Sequence, residues 1–158
     1  VRKDAGFSLI ELLIVVAIIL IIAAIAIPNF MRARIASNEA SAVSSSRTIN
    51  SAQVTYASFY GRGYSSSIAQ LGPPPSGTPA SADAADLIDD VLATSAKSGY
   101  TFEYTPLTGG GSVYTNYELR SRPLVQDRTG SRHFYTDASG VIRVAYGVPA
   151  GPSDSPIH

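Results

Sequence analysis

The sequence has no cysteine, no tryptophan, one methionine and two histidines, His133 and His158. Without cysteine there is no disulfide staple, no thiolate nucleophile and no zinc site built on sulfur. Two histidines leave little material for imidazole acid–base or metal chemistry. Charge is scarce as well: Lys, Arg, Asp and Glu make up 15% of 158 residues, and twelve of each sign cancel. That balance, with no acidic or basic tail, gives no footing for nucleic acid, and none is expected as a partner. There is no nucleotide-binding glycine loop, no nucleophile elbow, no paired-carboxylate motif and no Asn-x-Ser/Thr acceptor. The chain reads as a non-enzyme.

What is present is unevenly spread. Residues 12–27 are sixteen consecutive Leu, Ile, Val and Ala side chains, twelve of them Leu, Ile or Val. As a helix, residues 7–27 would be about 30 Å long, the thickness of a bilayer's hydrocarbon core. At roughly 0.3–0.6 kcal/mol each, the twelve larger side chains favour the membrane by about 4–7 kcal/mol. That outweighs one acid near an end. A plain single-span anchor and a cleaved secretion signal are two other readings of this run, the second because Ala24-Ile25-Ala26 resembles a small-residue cleavage site. Against a signal, the run is long, Glu11 interrupts its start, and a helical pattern resumes after Pro28. Arg2 and Lys3 precede the run and Arg32 and Arg34 follow it, so local charge sets no orientation.

Three details sharpen the picture. Glu11 lies just inside the apolar stretch, where a carboxylate needs a partner. Gly6 and Phe7 follow the short basic stretch Val1-Arg2-Lys3-Asp4-Ala5, and residues 1–6 read as a leader. Pro28 ends the aliphatic run; it lacks a backbone donor and disfavours a helical Ile27, so the helix is expected to bend or melt locally there. Together Gly6-Phe7-Ser8-Leu9-Ile10-Glu11-Leu12-Leu13 resembles the cleavage and methylation motif of type IV prepilins and type II secretion pseudopilins. The resemblance is dense over about the first 30 residues and looser to about Gly61. It implies that a prepilin peptidase cuts between Gly6 and Phe7 and methylates the new Phe7 amine. It implies that Glu11 pairs with the Phe7 amine of a neighbouring copy, and that the chain is a homo-polymer whose apolar helices pack as a filament core. An inner-membrane assembly platform is the further partner expected. The chain would sit in the bacterial inner membrane with its globular domain in the periplasm, then move to an extracellular pilus, or stay periplasmic as a pseudopilus. The missing cysteine pair leans toward a pseudopilin and the missing calcium loop leans back. A pilus subunit, for adhesion, motility or DNA uptake, is the reading carried forward.

Beyond Pro28, Ile35, Ala42, Ile49, Ala52, Tyr56 and Phe59 recur at helical spacing, with Asn38, Glu39, Ser45, Ser46 and Asn50 filling the polar remainder. Gly61 and Gly63 stop the pattern. This predicts one long helix over residues 8–60: a filament-core half at 7–28 and an amphipathic half at 29–60. Residues 61–99 read as a Pro/Gly-rich connector, with Pro73 to Pro75 as a stiff spacer. It carries a short helix over residues 83–96, capped by Asp83 or Asp86, with Leu87, Ile88, Val91 and Leu92 as its apolar face. Residues 100–147 alternate in stretches at 100–104, 113–120, 132–136 and 141–146, with a glycine-rich turn at 106–112 and a hairpin turn at 137–140. The fold class is α+β: a long N-terminal helix packed on a three- to four-stranded antiparallel sheet. Residues 148–158 are expected to be a mobile tail.

Few other positions carry chemistry. Cysteine-less pseudopilins often bind calcium in a C-terminal loop, and Asp127, Asp137 and Asp154 are the loop carboxylates available to one. No alternating run of oxygen ligands accompanies them, so no metal or other cofactor is expected. Ser44-Ser45-Ser46 and Ser65-Ser66-Ser67 read as solvated filler, and His133 as a surface or satisfied strand residue.

Overall fold

The computed structural model describes residues 7–111 and 113–157, so the leader with Gly6 lies outside the described residues. The chain divides into two units, residues 1–34 and 35–158, and each is treated by itself. One helix, α1 (Leu9–Tyr60), supplies residues to both. It ends at Gly61, whose amide donates to the Ala57 carbonyl at 3.1 Å with φ at +62°. A left-handed glycine at this position is what lets a helix stop cleanly. Helical structure continues through Pro28, so the expected local melting is absent. What the proline removes is one donor, the amide that would reach back to Ala24.

In the second unit, α1 packs on an antiparallel meander of five strands in the order β1 (Ala96–Lys97), β2 (Tyr100–Thr108), β3 (Tyr114–Pro123), β4 (Arg132–Asp137) and β5 (Arg143–Tyr146). The class is as expected, and the sheet has one strand more, the two-residue β1. Side chains alternate across the pleat. Phe102 faces Ser121, which faces Phe134; Tyr104 faces Leu119, which faces Thr136. That face meets Ala42, Ile49, Ala52 and Tyr56 of α1, and all are buried. Phe59, expected on the same face, is 77% exposed.

The short helix differs from expectation. Only α2 (Asp90–Ala93) is helical, and its cap is Asp89, which accepts from the Leu92 amide at 2.8 Å. Neither Asp83 nor Asp86 caps it. Asp86 sits at φ +55°, and residues 85–88 donate their amides to carbonyls of Gln70, Leu71 and Gly72. Backbone groups committed to a neighbouring segment are lost to a helix. The connector also contains a 3₁₀ turn, Ile68–Leu71, and both its end residues are buried in the core. The glycine-rich turn is shorter than expected, because β2 carries Pro106 and Leu107 in register with Tyr117 and Asn116.

The tail is not loose. The Val144 amide donates to Ser155, the Ile157 amide to Ile142, and Arg143 bridges Pro156, so the last residues run along the outer side of β5. Ala150 is buried with Tyr135 and Ala145 in a second small cluster. A Pro/Gly/Ser composition signals weak local preference, not the absence of a docking strand.

The interface of helix and sheet is unexpectedly polar. Glu39, Ser45, Ser46, Asn50 and Gln53 are all buried. Glu39 accepts from the Ser131 and Arg132 amides at 2.8 and 3.1 Å and from Arg132 Nε at 2.7 Å. Ser46 Oγ shares a bond with Ser121 Oγ at 3.1 Å. Asn50 donates to Thr136 Oγ1 at 3.0 Å and accepts from Tyr117 Oη at 2.9 Å. Gln53 donates to Ser65 Oγ at 2.7 Å and accepts from its amide at 2.9 Å. Ser65 is therefore a buried ligand of the helix, not solvated filler. Replacing Glu39 by Ala would orphan two backbone amides and leave Arg132 unpaired, although Arg132 can still reach water. We expect Glu39→Ala to lower unfolding free energy by about 3 kcal/mol. Urea unfolding in detergent, followed by near-ultraviolet circular dichroism of the tyrosines, measures this; an unchanged midpoint would mean the clamp carries no stability.

Candidate functional site

In the first unit the large apolar side chains stand exposed among the described residues. From Leu9 to Ile27 every described large aliphatic is exposed, and Phe7 is 84% exposed. Among the described residues α1 is the one helix long and apolar enough to cross a membrane, and none of its most apolar stretch is buried. A free aliphatic surface of that length is unfavourable in water at about 25 cal/mol per Å², so it requires an apolar surrounding.

At the start of this helix the polar groups are organised. The Ser8 carbonyl accepts the first helical bond, from the Leu12 amide at 3.2 Å. Ser8 Oγ accepts from the Ile10 amide at 3.3 Å, and the Ser8 amide donates to Glu11 Oε2 at 2.9 Å. This is a capping box, Ser-x-x-Glu, which satisfies donors that a helix start otherwise leaves open. Phe7 stands two residues before the first residue of α1, and Glu11 lies in its first turn. The reading of the sequence missed the box, although Ser8 and Glu11 stand at the spacing that announces one.

The three loop carboxylates are engaged locally. Asp127, at φ +59°, accepts from Gln126 Nε2 at 3.3 Å. Asp137 accepts from the Ser139 amide at 2.9 Å in the turn before β5. Asp154 accepts from the Gly151 amide at 2.8 Å. Among the described residues no three of His, Cys, Asp and Glu come together as metal ligands. A groove of about 590 Å³ beside α1 is lined by Arg47, Asn50, Ser51, Val54 and Gly140, with no carboxylate, thiol or imidazole on it.

His133 is not a surface residue. It is 8% exposed on β4; Nε2 lies 3.0 Å from Gln126 Oε1, and Nδ1 is buried with no partner. Gln126 offers an acceptor, which places the ring proton on Nε2 and leaves Nδ1 bare. Burial, with the Arg122 charge nearby, pushes the imidazole below its ordinary value of about 6.5.

Comparison with known proteins follows from this geometry. The family model described as the prokaryotic N-terminal methylation motif matches residues 1–27. The protein most in point is the type IV major pilin protein PilA of Myxococcus xanthus (strain DK1622), 46% identical over 54 residues, which are 34% of this chain and 24% of that protein. The match thus spans about a quarter of the length of this curated relative. No solved structure matches. Motif, exposed aliphatic helix and helix-on-sheet domain define the class: a protein of α+β build with a prepilin-type N-terminus. Within that class the chain is similar to type IV pilins over its N-terminal stretch.

The lowered His133 value has a consequence for stability. Above about pH 6.5 the ring is neutral whether folded or unfolded and has no effect. As pH falls through 6.5 the unfolded chain takes up a proton that the folded one resists, so stability is lost down to the lower folded value. Replacing the ring by an uncharged amide that can still donate to Gln126 should remove that loss. His133→Gln is expected to unfold at nearly the same temperature at pH 7 and pH 5.5, while the parent's midpoint drops. Equal drops in both proteins would show that His133 is not the group responsible.

Proposed function

We propose that this chain is the structural subunit of a type IV pilus, polymerising through the first half of α1 and having no catalytic activity. The observation that carries the reading is the wholly uncovered aliphatic helix beginning with Phe7 and Glu11 in the cleavage and methylation register. Such a rod is stable in two apolar surroundings, lipid and a bundle of its own copies. Lipid tails are as apolar as leucine, so the transfer between them has little hydrophobic driving force. Packing decides it, and Ala17, Ala23, Ala24 and Ala26 allow close approach of backbones. A charge pair decides the register: Glu11 with the Phe7 amine that cleavage would create on a neighbour. Desolvation consumes much of the attraction in such a pair, so its main effect is to select one alignment over its neighbours.

In this reading a prepilin peptidase removes residues 1–6, an inner-membrane platform extracts the processed chain, and the domain, first periplasmic, ends outside the cell. The match to a major pilin supports a pilus. A type II secretion pseudopilus in the periplasm is the alternative, since it uses the same N-terminus.

Two measurements test the proposal. Intact-mass and peptide analysis of assembled material should place the N-terminus at Phe7, heavier by one methyl group; a start at Val1 or near Ile27 contradicts the processing step. Glu11→Ala should insert in the membrane at least as well as the parent yet give filaments on the order of tenfold fewer or less, because a buried partner charge is left alone. Normal filament yield would remove Glu11 from its assigned part.

A further inference from the structure

Three stretches of the second unit meet at one end of the sheet. Tyr100 of β2 pairs with Pro123 of β3, and Arg132 of β4 pairs with Tyr146 of β5. Residues 124–131 and the residues after β5 therefore leave the sheet at the same end. They also share a bonding partner: the Gly147 amide and Gln126 Nε2 both donate to the Ser131 carbonyl, each at 3.2 Å. The first residues of α1 in this unit are held at that end too. Asn38 Nδ2 donates to the Thr129 carbonyl at 2.8 Å, and Glu39 accepts from the Ser131 and Arg132 amides.

This end is apolar where it is open. Among the described residues of the unit nine large hydrophobic side chains are exposed, and four of them stand here: Leu124, Val125, Tyr146 and Val148. The other five are dispersed over α1, α2 and the turns at the opposite end. Apolar side chains scattered singly over a surface need no explanation, whereas a group at one end does. We propose that these four side chains dock on the lipid surface of the membrane while the chain is unassembled. Docking of this kind rests on the membrane stage of the reading above. Ile35, the first residue of the unit, comes eight residues after Ile27, the last of the aliphatic run. Eight residues of helix span about 12 Å, and the polar zone of a bilayer is about 5–8 Å deep on each side. The end of the unit at which α1 enters is therefore the end within reach of lipid. Its chemistry suits that surface. Tyr146 is an aromatic of the kind enriched at headgroup level, and the adjacent Leu124 and Val125 can enter the acyl boundary. Headgroup charge is not the attraction: Asp127 and Arg128 offset each other, and Lys97 is paired with Asp89 at 2.7 Å.

The full chain in bicelles of zwitterionic phospholipid, with a nitroxide lipid labelled near its headgroup, supplies the test. Relaxation enhancement of backbone amides is read by NMR at low and high numbers of chains per bicelle. Enhancement at residues 124–125 and 146–148 should exceed that at 139–141, at the opposite end, by at least about threefold, because interfacial groups sit at the headgroup boundary. Leu124→Ser combined with Val125→Ser should bring residues 146–148 down to the level of 139–141, with the amide shifts of β3 and β4 unchanged. Tyr146→Ser, on a separate strand, should lower residues 124–125 in the same way and serves where the first pair disturbs its loop. Equal enhancement at both ends, or enhancement that neither variant changes, overturns the docking. Shifts at these residues that grow with the number of chains per bicelle, without enhancement, assign the face to a second copy and overturn it as well. A second label at mid-acyl depth reports residues 12–22. Enhancement there with none at 124–125 rejects the docking alone; none there brings down the membrane stage on which it stands.

Discussion

Sixteen aliphatic side chains in unbroken succession, the large ones exposed among the described residues, place a demand for an apolar surrounding. The domain has its own closed core of tyrosines, Phe102, Phe134, Ile49, Leu92 and Leu119. Lipid, or in the proposed filament other copies of the rod, would do the covering. The polar features at the helix start matter because of that demand: an acid at the rim of an apolar rod is tolerable only when it has a partner. Ser8 supplies one within the chain, and in the proposed filament a second copy supplies another.

The other half of α1 obeys a different rule. Its contact with the sheet is held at Glu39, Ser46, Asn50 and Gln53 by directional bonds to four separate parts of the domain: the start of β4, β3, the end of β4 and the connector. Each of these polar groups is buried, so each would be left unsatisfied if the helix slid or turned. A one-residue slip moves a helix by about 1.5 Å and rotates its face by about 100°, which would break all of them at once. Aliphatic contact alone tolerates small displacements much better. The polar bonds make the register of helix on sheet unique.

Much of this was legible in the sequence. The long helix ends at Tyr60 as its glycines announce, β2 to β5 lie where alternation places them, and the turn at Asp137 to Gly140 closes through the Gly140 amide. Local pattern failed where long-range pairing took over. Residues 85–88 have helical spacing, yet their amides serve the 3₁₀ turn. Residues 148–157 have a loop's composition, yet residues 155–157 pair with residues 142–144. Glu39 and Asn50 belong to the polar remainder of the helical pattern, yet both are buried, as is Gln53. Their positions share a face with Ala42, Ile49 and Tyr56, and position on the helix was the better guide. Phe59 errs the other way: it is large and apolar, but it falls at the end of α1, where the sheet no longer covers that face. At the N-terminus the motif residues were plain, and the bond between Ser8 and Glu11 was written in their spacing.

The contrast between the two halves of α1 bears on how a filament could keep one arrangement. If lipid-facing side chains drove assembly, many alignments of neighbouring rods would be nearly equal, because leucine, isoleucine and valine recur at almost every position from 12 to 27. A single acid among them breaks that degeneracy. Moving a neighbour by one helical turn, about 5.4 Å, separates the carboxylate from the amine it would neutralise. A buried charge left alone costs several kcal/mol, more than the packing differences between adjacent alignments. In the proposed filament, one acidic side chain is then enough to select a register that sixteen aliphatic ones cannot.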